Sequence, residues 1–240
     1  MEHLADQLAA IPGVVAVSLG GSRATGTAGP DSDWDFGLYY QGTIDPADVA
    51  ALGWPGRVFA PGEWGRLVDG GAWLTVGGTR VDLCYRNLDV VLRWTAEAEA
   101  GRFEIQREVG YVAGIPTYVL AAELGLGRVL AGTLPRPAFP AALRASAPPL
   151  WSQLAAGALH HAGVFARRGD RVACMANAAQ AVLACAWSRM AAAGRWSVNE
   201  KRLVAAAGLD AAQAVLAADA DLVAMVDALA PVLDLPPWAA

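Results

Sequence analysis

Apolar residues in the first ninety positions fall into short runs that alternate with polar ones. In the last hundred they recur at helical spacing. Residues 14–19 and 33–40 read as strands, and 72–76 and 79–85 as two more, joined by Gly77-Gly78, the two-residue signature of a hairpin turn. Residues 2–10 and 46–51 suggest short helices, 87–100 a longer one, and 102–112 extended chain; Pro116 is expected to open a helix running to about residue 130. Further on, helices are expected over 150–168, 171–194, 199–207 and 210–229, with Ala and Leu on their inner faces. Pro135, Pro137, Pro140, Pro148 and Pro149 punctuate the passage between the two patterns, which sets a boundary near residue 136. The expected fold class is α+β: a domain over 1–135 built on a mixed β-sheet flanked by helices, followed by a helical bundle over 136–240.

Composition adds bounds to this picture. The chain has 240 residues, 55% of them hydrophobic, enough for one large core or two modest ones. Charge divides with the pattern: residues 1–135 hold 9 Arg against 16 Asp and Glu, whereas residues 136–240 hold 9 basic against 7 acidic residues. A net charge of −5 and a pI of about 5.2 leave no basic stripe to neutralise phosphates, so a nucleic-acid partner is not expected. Cys84, Cys174 and Cys185 lack Cys-x-x-Cys spacing and indicate neither a zinc site nor a disulfide framework. The N-terminal residues have no signal-peptide pattern, and the most apolar helix, 171–194, is interrupted by Asn177, Gln180 and Arg189; a cytoplasmic protein without a membrane partner is expected.

The candidate chemistry lies in residues 18–40. Gly20-Gly21-Ser22 follows the first strand, and ten residues later Asp33 and Asp35 open the second. Strand side chains alternate faces, so these two carboxylates point the same way, about 6–7 Å apart along the chain. Such a pair repels itself unless a divalent cation sits between, and Mg²⁺ takes carboxylate and phosphate oxygens. On the 79–85 strand Val81, Leu83 and Tyr85 share one face, leaving Arg80, Asp82 and Cys84 on the other. If that strand lies beside the Asp33 strand, Asp82 completes a cluster of three. A calcium loop starting at Asp31 fails, because Phe36 and Gly42 stand where Gly and Glu are required. A phosphate loop of the Walker type fails for want of Gly-Lys-Ser/Thr. Ser22 and the backbone of Gly21 are candidates for phosphate contacts, with Arg23 beside them. Lys201, the single lysine in a chain with 17 arginines, is a candidate phosphate ligand just inside a helix that Ser197 or Asn199 caps.

The pattern of an apolar-Gly-Gly-Ser turn, an Asp-apolar-Asp strand ten residues on, and a separate strand carrying one acid resembles the nucleotidyltransferases related to DNA polymerase β. The short two-domain form is similar to their antibiotic (aminoglycoside) branch. The resemblance covers residues 19–36 and 81–83 well and extends more weakly over 86–130. It implies two Mg²⁺ ions held by Asp33, Asp35 and Asp82, with Asp82 as catalytic base. Gly21, Ser22, Arg23 and Lys201 then hold ATP or another NTP. The implied reaction moves a nucleoside monophosphate, AMP by expectation, to a hydroxyl of a small molecule, with an aminoglycoside or related antibiotic as the candidate acceptor and pyrophosphate as product. The enzyme is expected to act as a monomer or homodimer. Two alternatives stand beside it: a minimal nucleotidyltransferase that AMPylates a protein partner, as antitoxins of this superfamily do, and a non-catalytic nucleotide-binding module.

Overall fold

The computed structural model describes residues 1–238. Its strands are β1 (Val14–Leu19), β2 (Trp34–Tyr40), β3 (Gly56–Val58), β4 (Gly71–Val76), β5 (Thr79–Asn87), β6 (Ile105–Gln106), β7 (Ile115–Pro116) and β8 (Arg128–Gly132). Its helices are α1 (Ala5–Ala9), α2 (Gly21–Ala24), α3 (Pro46–Ala50), α4 (Leu88–Glu99), α5 (Val119–Leu126), α6 (Ala141–Arg167), α7 (Arg171–Ala192), α8 (Leu203–Ala206), α9 (Asp210–Ala217) and α10 (Leu222–Val232). The architecture is α+β: a six-stranded mixed sheet flanked by helices, followed by a helical region. Contacts gather the chain into two compact units, Met1–Glu97 with Leu120–Ala138, and Ala98–Val119 with the residues from Phe139 onward. Residues 98–119 group by contacts with the helices that follow.

In the first unit the strands run in the order β3-β4-β5-β2-β1-β8. All neighbours are antiparallel except β2 and β5. The parallel pair is what the separation of these strands in sequence allows, because the chain makes β3 and the β4–β5 hairpin before returning alongside β2. Phe36, Leu38, Val81, Leu83 and Tyr85 line one face, buried together with Leu4, Leu8 and Ile11 from the α1 region and Val49 of α3. Period-two alternation then sends Asp35, Asp82 and Cys84 to the opposite face.

Several expectations are corrected here. The helix from Pro116 to about 130 is instead α5 followed by β8. Gly127 closes α5, its N–H donating to the Glu123 carbonyl at 2.8 Å, and residues 128–132 then pair with the open edge of β1. The open strand edge offers hydrogen-bond partners to the backbone groups turned towards it, which outweighs the few tenths of a kcal/mol per residue by which Arg128, Leu130 and Ala131 favour a helix. Of 102–112, only Ile105–Gln106 is strand, paired with β7. Gly20-Gly21-Ser22 is not a plain turn, since α2 begins at Gly21.

In the second unit α6 starts at Ala141, nine residues earlier than expected, and runs through Pro148 and Pro149. Leu143, Ala147, Trp151, Ala155 and Leu159 form a buried stripe at four-residue spacing across the prolines, and burial of that stripe holds the helix. Trp151 stacks on Trp187 of α7 at 5.7 Å and donates its indole N–H to the Tyr118 hydroxyl at 3.0 Å. The expected helix 210–229 is two helices, because Asp221 caps α10 by accepting from the N–H groups of Val223 and Ala224. The expected helix 199–207 shrinks to α8, four residues preceded by Arg202 in the left-handed region (φ 57°).

Candidate functional site

The parallel register pairs Asp35 of β2 with Asp82 of β5. In-register neighbours on a sheet share a face, so the two carboxylates rise side by side on the face turned away from the core, about 4.8 Å apart at the backbone. On the far side of Asp35, the Gly20 N–H donates to the Asp35 carbonyl at 2.8 Å, which ties the end of β1 to β2. Gly21 then adopts φ +59° and brings its backbone against the Asp35 side chain: a Cβ at this position would lie 1.9 Å from Asp35 Oδ2. The glycine is required twice, by its dihedral and by the carboxylate that fills the space of a side chain. The Gly-Gly-Ser turn and the Asp-x-Asp strand are thus one local structure, with Ser22 in the first turn of α2.

Arg23 is committed to the loop between α2 and β2. Its Nε donates to the Asp33 carbonyl at 3.1 Å, its Nη2 donates to the Ser32 carbonyl at 2.5 Å, and its guanidinium lies 4.5 Å over the Trp34 ring. It fastens the acidic loop to the turn. Asp33 ends that loop, just ahead of β2, with its side chain about one-third exposed (35%). Its Oδ1 lies 2.6 Å from Arg80 Nε, an ion pair whose alignment falls outside hydrogen-bond geometry, so that this buried oxygen has charge compensation without a donor. Arg80 Nη2 also donates to the Asp31 carbonyl at 3.3 Å. Among the described residues, no three His, Cys, Asp or Glu side chains gather closely enough to cage a metal ion, and the guanidinium of Arg80 stands at Asp33.

Two rungs along the same face, Arg86 is buried and paired with Glu123 of α5 through Nε–Oε2 at 2.5 Å and Nη2–Oε1 at 2.7 Å. It also donates to the carbonyls of Val68 and Tyr85. Cys84 lies between Asp82 and Arg86 in sequence. Burial pushes its thiol up to about 11, the charges of Glu123, Asp35 and Asp82 add to this, and Arg86 opposes it. Burial thus favours the protonated thiol over the thiolate. A cavity of about 220 Å³ lies near the end of these strands, but its Asp69 already accepts from the Tyr40 hydroxyl at 2.9 Å and from the Gly62 N–H at 3.0 Å.

Lys201 belongs to the second unit. It is exposed in the turn ahead of α8 instead of inside a helix, and its backbone N–H donates to Asn199 Oδ1 at 2.9 Å. The left-handed Arg202 that follows reverses the chain before helical geometry begins.

Two residues of the site face were not singled out as candidates. Arg80 was placed on the Asp82 face by alternation, and only the folded loop shows that it pairs with Asp33. Trp73 pairs with Asp82 across the hairpin. A two-residue turn at Gly77-Gly78 makes Val76 face Thr79 and therefore Trp73 face Asp82, so that signal was present in the sequence.

Residues 1–53 match the family model described as a nucleotidyltransferase domain. The matched stretch contains Gly21, Ser22, Asp33 and Asp35, while Asp82 lies beyond it. No curated protein matches the chain. Among solved structures, the chain is similar to a nucleotidyltransferase-like protein from Exiguobacterium sibiricum, at 11% identity and a TM-score of 0.43, over 96% of this chain and 70% of that one. No helix of the described residues is long and apolar enough to cross a membrane.

Proposed function

We propose that the chain is a nucleotidyltransferase that moves a nucleoside monophosphate, AMP from ATP, to a hydroxyl of a small molecule and releases pyrophosphate. One observation carries this reading: Asp35 and Asp82 stand in register on one face, with the Gly21 backbone packed on the Asp35 carboxylate. The match of residues 1–53 to a nucleotidyltransferase domain supports it independently.

The donor set is carboxylate oxygen throughout, the chemistry that Mg²⁺ selects. Asp35 and Asp82 would hold the ion, joined by Asp33 once Arg80 turns away. Bound there, Mg²⁺ supplies charge neutralisation at the triphosphate and lowers the pKa of the attacking hydroxyl. Asp82 accepts the proton of the acceptor hydroxyl. Its place on β5, one strand beyond Asp35, puts the acceptor on the side of Asp35 away from the Gly-Gly-Ser turn. On the opposite side, the Ser22 hydroxyl and the backbone amides at the start of α2 bind phosphate oxygens, helped by the absence of a side chain at Gly21. Arg23 acts as a positioning residue that holds Ser32 and Asp33 in place. The part proposed for Lys201, contact with the β and γ phosphates, rests on the sequence resemblance alone. So does the aminoglycoside as acceptor.

The test follows pyrophosphate while the purified chain is incubated with Mg²⁺, each of the four NTPs, and a panel of aminoglycosides, lincosamides and nucleosides. Asp82→Asn is expected to lower turnover by about 10²–10⁴-fold, the usual contribution of a positioned base, with an unchanged circular dichroism spectrum. Full turnover in Asp35→Asn and Asp82→Asn would refute the assignment. Label from ATP appearing on a protein and on none of the small molecules would replace the acceptor by a polypeptide.

A further inference from the structure

The site face continues past Asp82. Register places Asp35 beside Asp82, Asp82 beside Trp73, and Trp73 beside Arg57, so one row across four strands reads carboxylate, carboxylate, indole, guanidinium. The next row along pairs Thr75 with Arg80, the arginine held by Asp33. Trp73 is 53% exposed, uncommon for an indole in the middle of a paired strand. It is nevertheless held in place. Trp64 packs over Gly71, on the same face two residues back, and stacks on Trp73 with ring centroids 5.4 Å apart and planes 23° apart. Phe59 meets Trp73 edge-on at 4.7 Å, and the Arg57 guanidinium covers Phe59 at 4.4 Å. One indole face is therefore packed on Trp64, Phe59 meets the ring from a neighbouring position, and about half of the side chain is left to solvent.

We propose that the open face of Trp73 is the acceptor subsite, a platform on which an uncharged hydroxylated ring, a sugar or a nucleoside, stacks with one hydroxyl directed at Asp82. Resting on the transferase reading, it names the acceptor class. Three features select that class. The rung spacing of about 4.8 Å separates Trp73 from Asp82, so a ring centred on the indole carries its substituents to the carboxylate without a linker. The indole is already ordered by Trp64 and Phe59, so stacking on it immobilises no further side chain. Register sets Arg57 on one side of the indole and Asp82 on the other, one charge of each sign, a rim that favours an uncharged ring over a polycation or a polyanion.

The experiment uses the full chain labelled with 5-fluorotryptophan, the Trp73 resonance being assigned by its disappearance in Trp73→Phe. The donor site is saturated with Mg²⁺ and α,β-methylene-ATP, so that a nucleoside cannot report from there. Adenosine, methyl β-glucopyranoside and kanamycin are then titrated. The proposal expects adenosine or the glucoside to move the Trp73 signal, and Trp73→Ala to weaken that binding roughly tenfold or more while leaving the affinity for the ATP analogue unchanged. If Trp73→Ala unfolds, Trp73→Leu, which keeps the packing on Trp64 and removes the aromatic face, serves in its place. A Trp73 signal unmoved by all three compounds, or moved by kanamycin alone, overturns the proposal. The two readings fail separately. Ring binding at Trp73 with no pyrophosphate released from any NTP keeps the platform and removes the transferase. Pyrophosphate release that depends on Asp82 but is unaltered in Trp73→Ala keeps the transferase and removes the platform.

Discussion

Replacing Gly21 by alanine tests the local geometry from which the site is built. The residue sits at φ +59°, and a Cβ there would meet Asp35 Oδ2 at 1.9 Å, Cγ at 2.7 Å and Cβ at 3.2 Å. Two costs separate cleanly. The left-handed conformation costs an L-residue roughly 1–2 kcal/mol, and overpacking a filled space costs roughly 1–3 kcal/mol more, because either the Asp35 carboxylate or the start of α2 must move. Gly26→Ala is the control: Gly26 has φ +72° with nothing within 4 Å of its Cβ position, so it carries the first cost alone. Urea unfolding followed by circular dichroism is expected to place Gly21→Ala about 1–3 kcal/mol below Gly26→Ala. In an Asp35→Ala background most of the collision is gone, and the difference between the two variants should shrink by about 1 kcal/mol or more, a coupling that a double-mutant cycle reads directly. Because the displaced group is a proposed Mg²⁺ ligand, calorimetry should also show weaker Mg²⁺-dependent binding of the ATP analogue in Gly21→Ala. Equal stabilities for the two alanine variants, with unchanged binding in both, would refute the claim that Gly21 exists to make room for Asp35.

Removing the Arg86 side chain as Arg86→Met strands the Glu123 carboxylate and should cost about 3–5 kcal/mol in a urea melt, whereas the paired Arg86→Met, Glu123→Leu variant should recover most of it; no recovery would mean that the stranded carboxylate is not the source of the loss. Arg80→Ala removes a pair whose arginine is exposed and screened by solvent, so stability should change by no more than about 1 kcal/mol, while Mg²⁺ binding should tighten as Asp33 loses its resident cation; weaker binding by calorimetry would show that Arg80 works with the ion instead of against it. Alkaline stability should follow the tyrosines. Burial first, then the hydrogen bond to Asp69 and its charge, push Tyr40 up to about 12, and burial raises Tyr39, Tyr85 and Tyr118 as well. The folded state keeps these protons where unfolded tyrosine loses them near pH 10. The stability they contribute is therefore whole below about pH 10 and falls as pH rises towards 12; a urea midpoint that is flat between pH 9.5 and 11.5 would contradict this.

Much of this protein was determined by local sequence. Alternation alone sorted Val81, Leu83 and Tyr85 from Arg80, Asp82 and Cys84, and Gly77-Gly78 set the β4–β5 register. Those are near-neighbour effects: a strand's period and a turn's dihedrals act over a few residues and need nothing remote to express them. Contacts between distant segments decided the rest. That Asp35 lies beside Asp82 depends on β2 and β5 pairing in parallel, residues 47 positions apart in the chain (82 − 35). That Arg80 holds Asp33, that residues 128–132 leave the helix for the edge of β1, and that α6 runs through two prolines all depend on partners local preference cannot see. Each came from a backbone edge, a charge or an apolar stripe that only the assembled sheet or helix pair satisfies, and satisfying buried groups outweighs the few tenths of a kcal/mol by which one residue prefers one local conformation. The chain by itself thus named the chemical groups, and the tertiary structure chose which of them face one another.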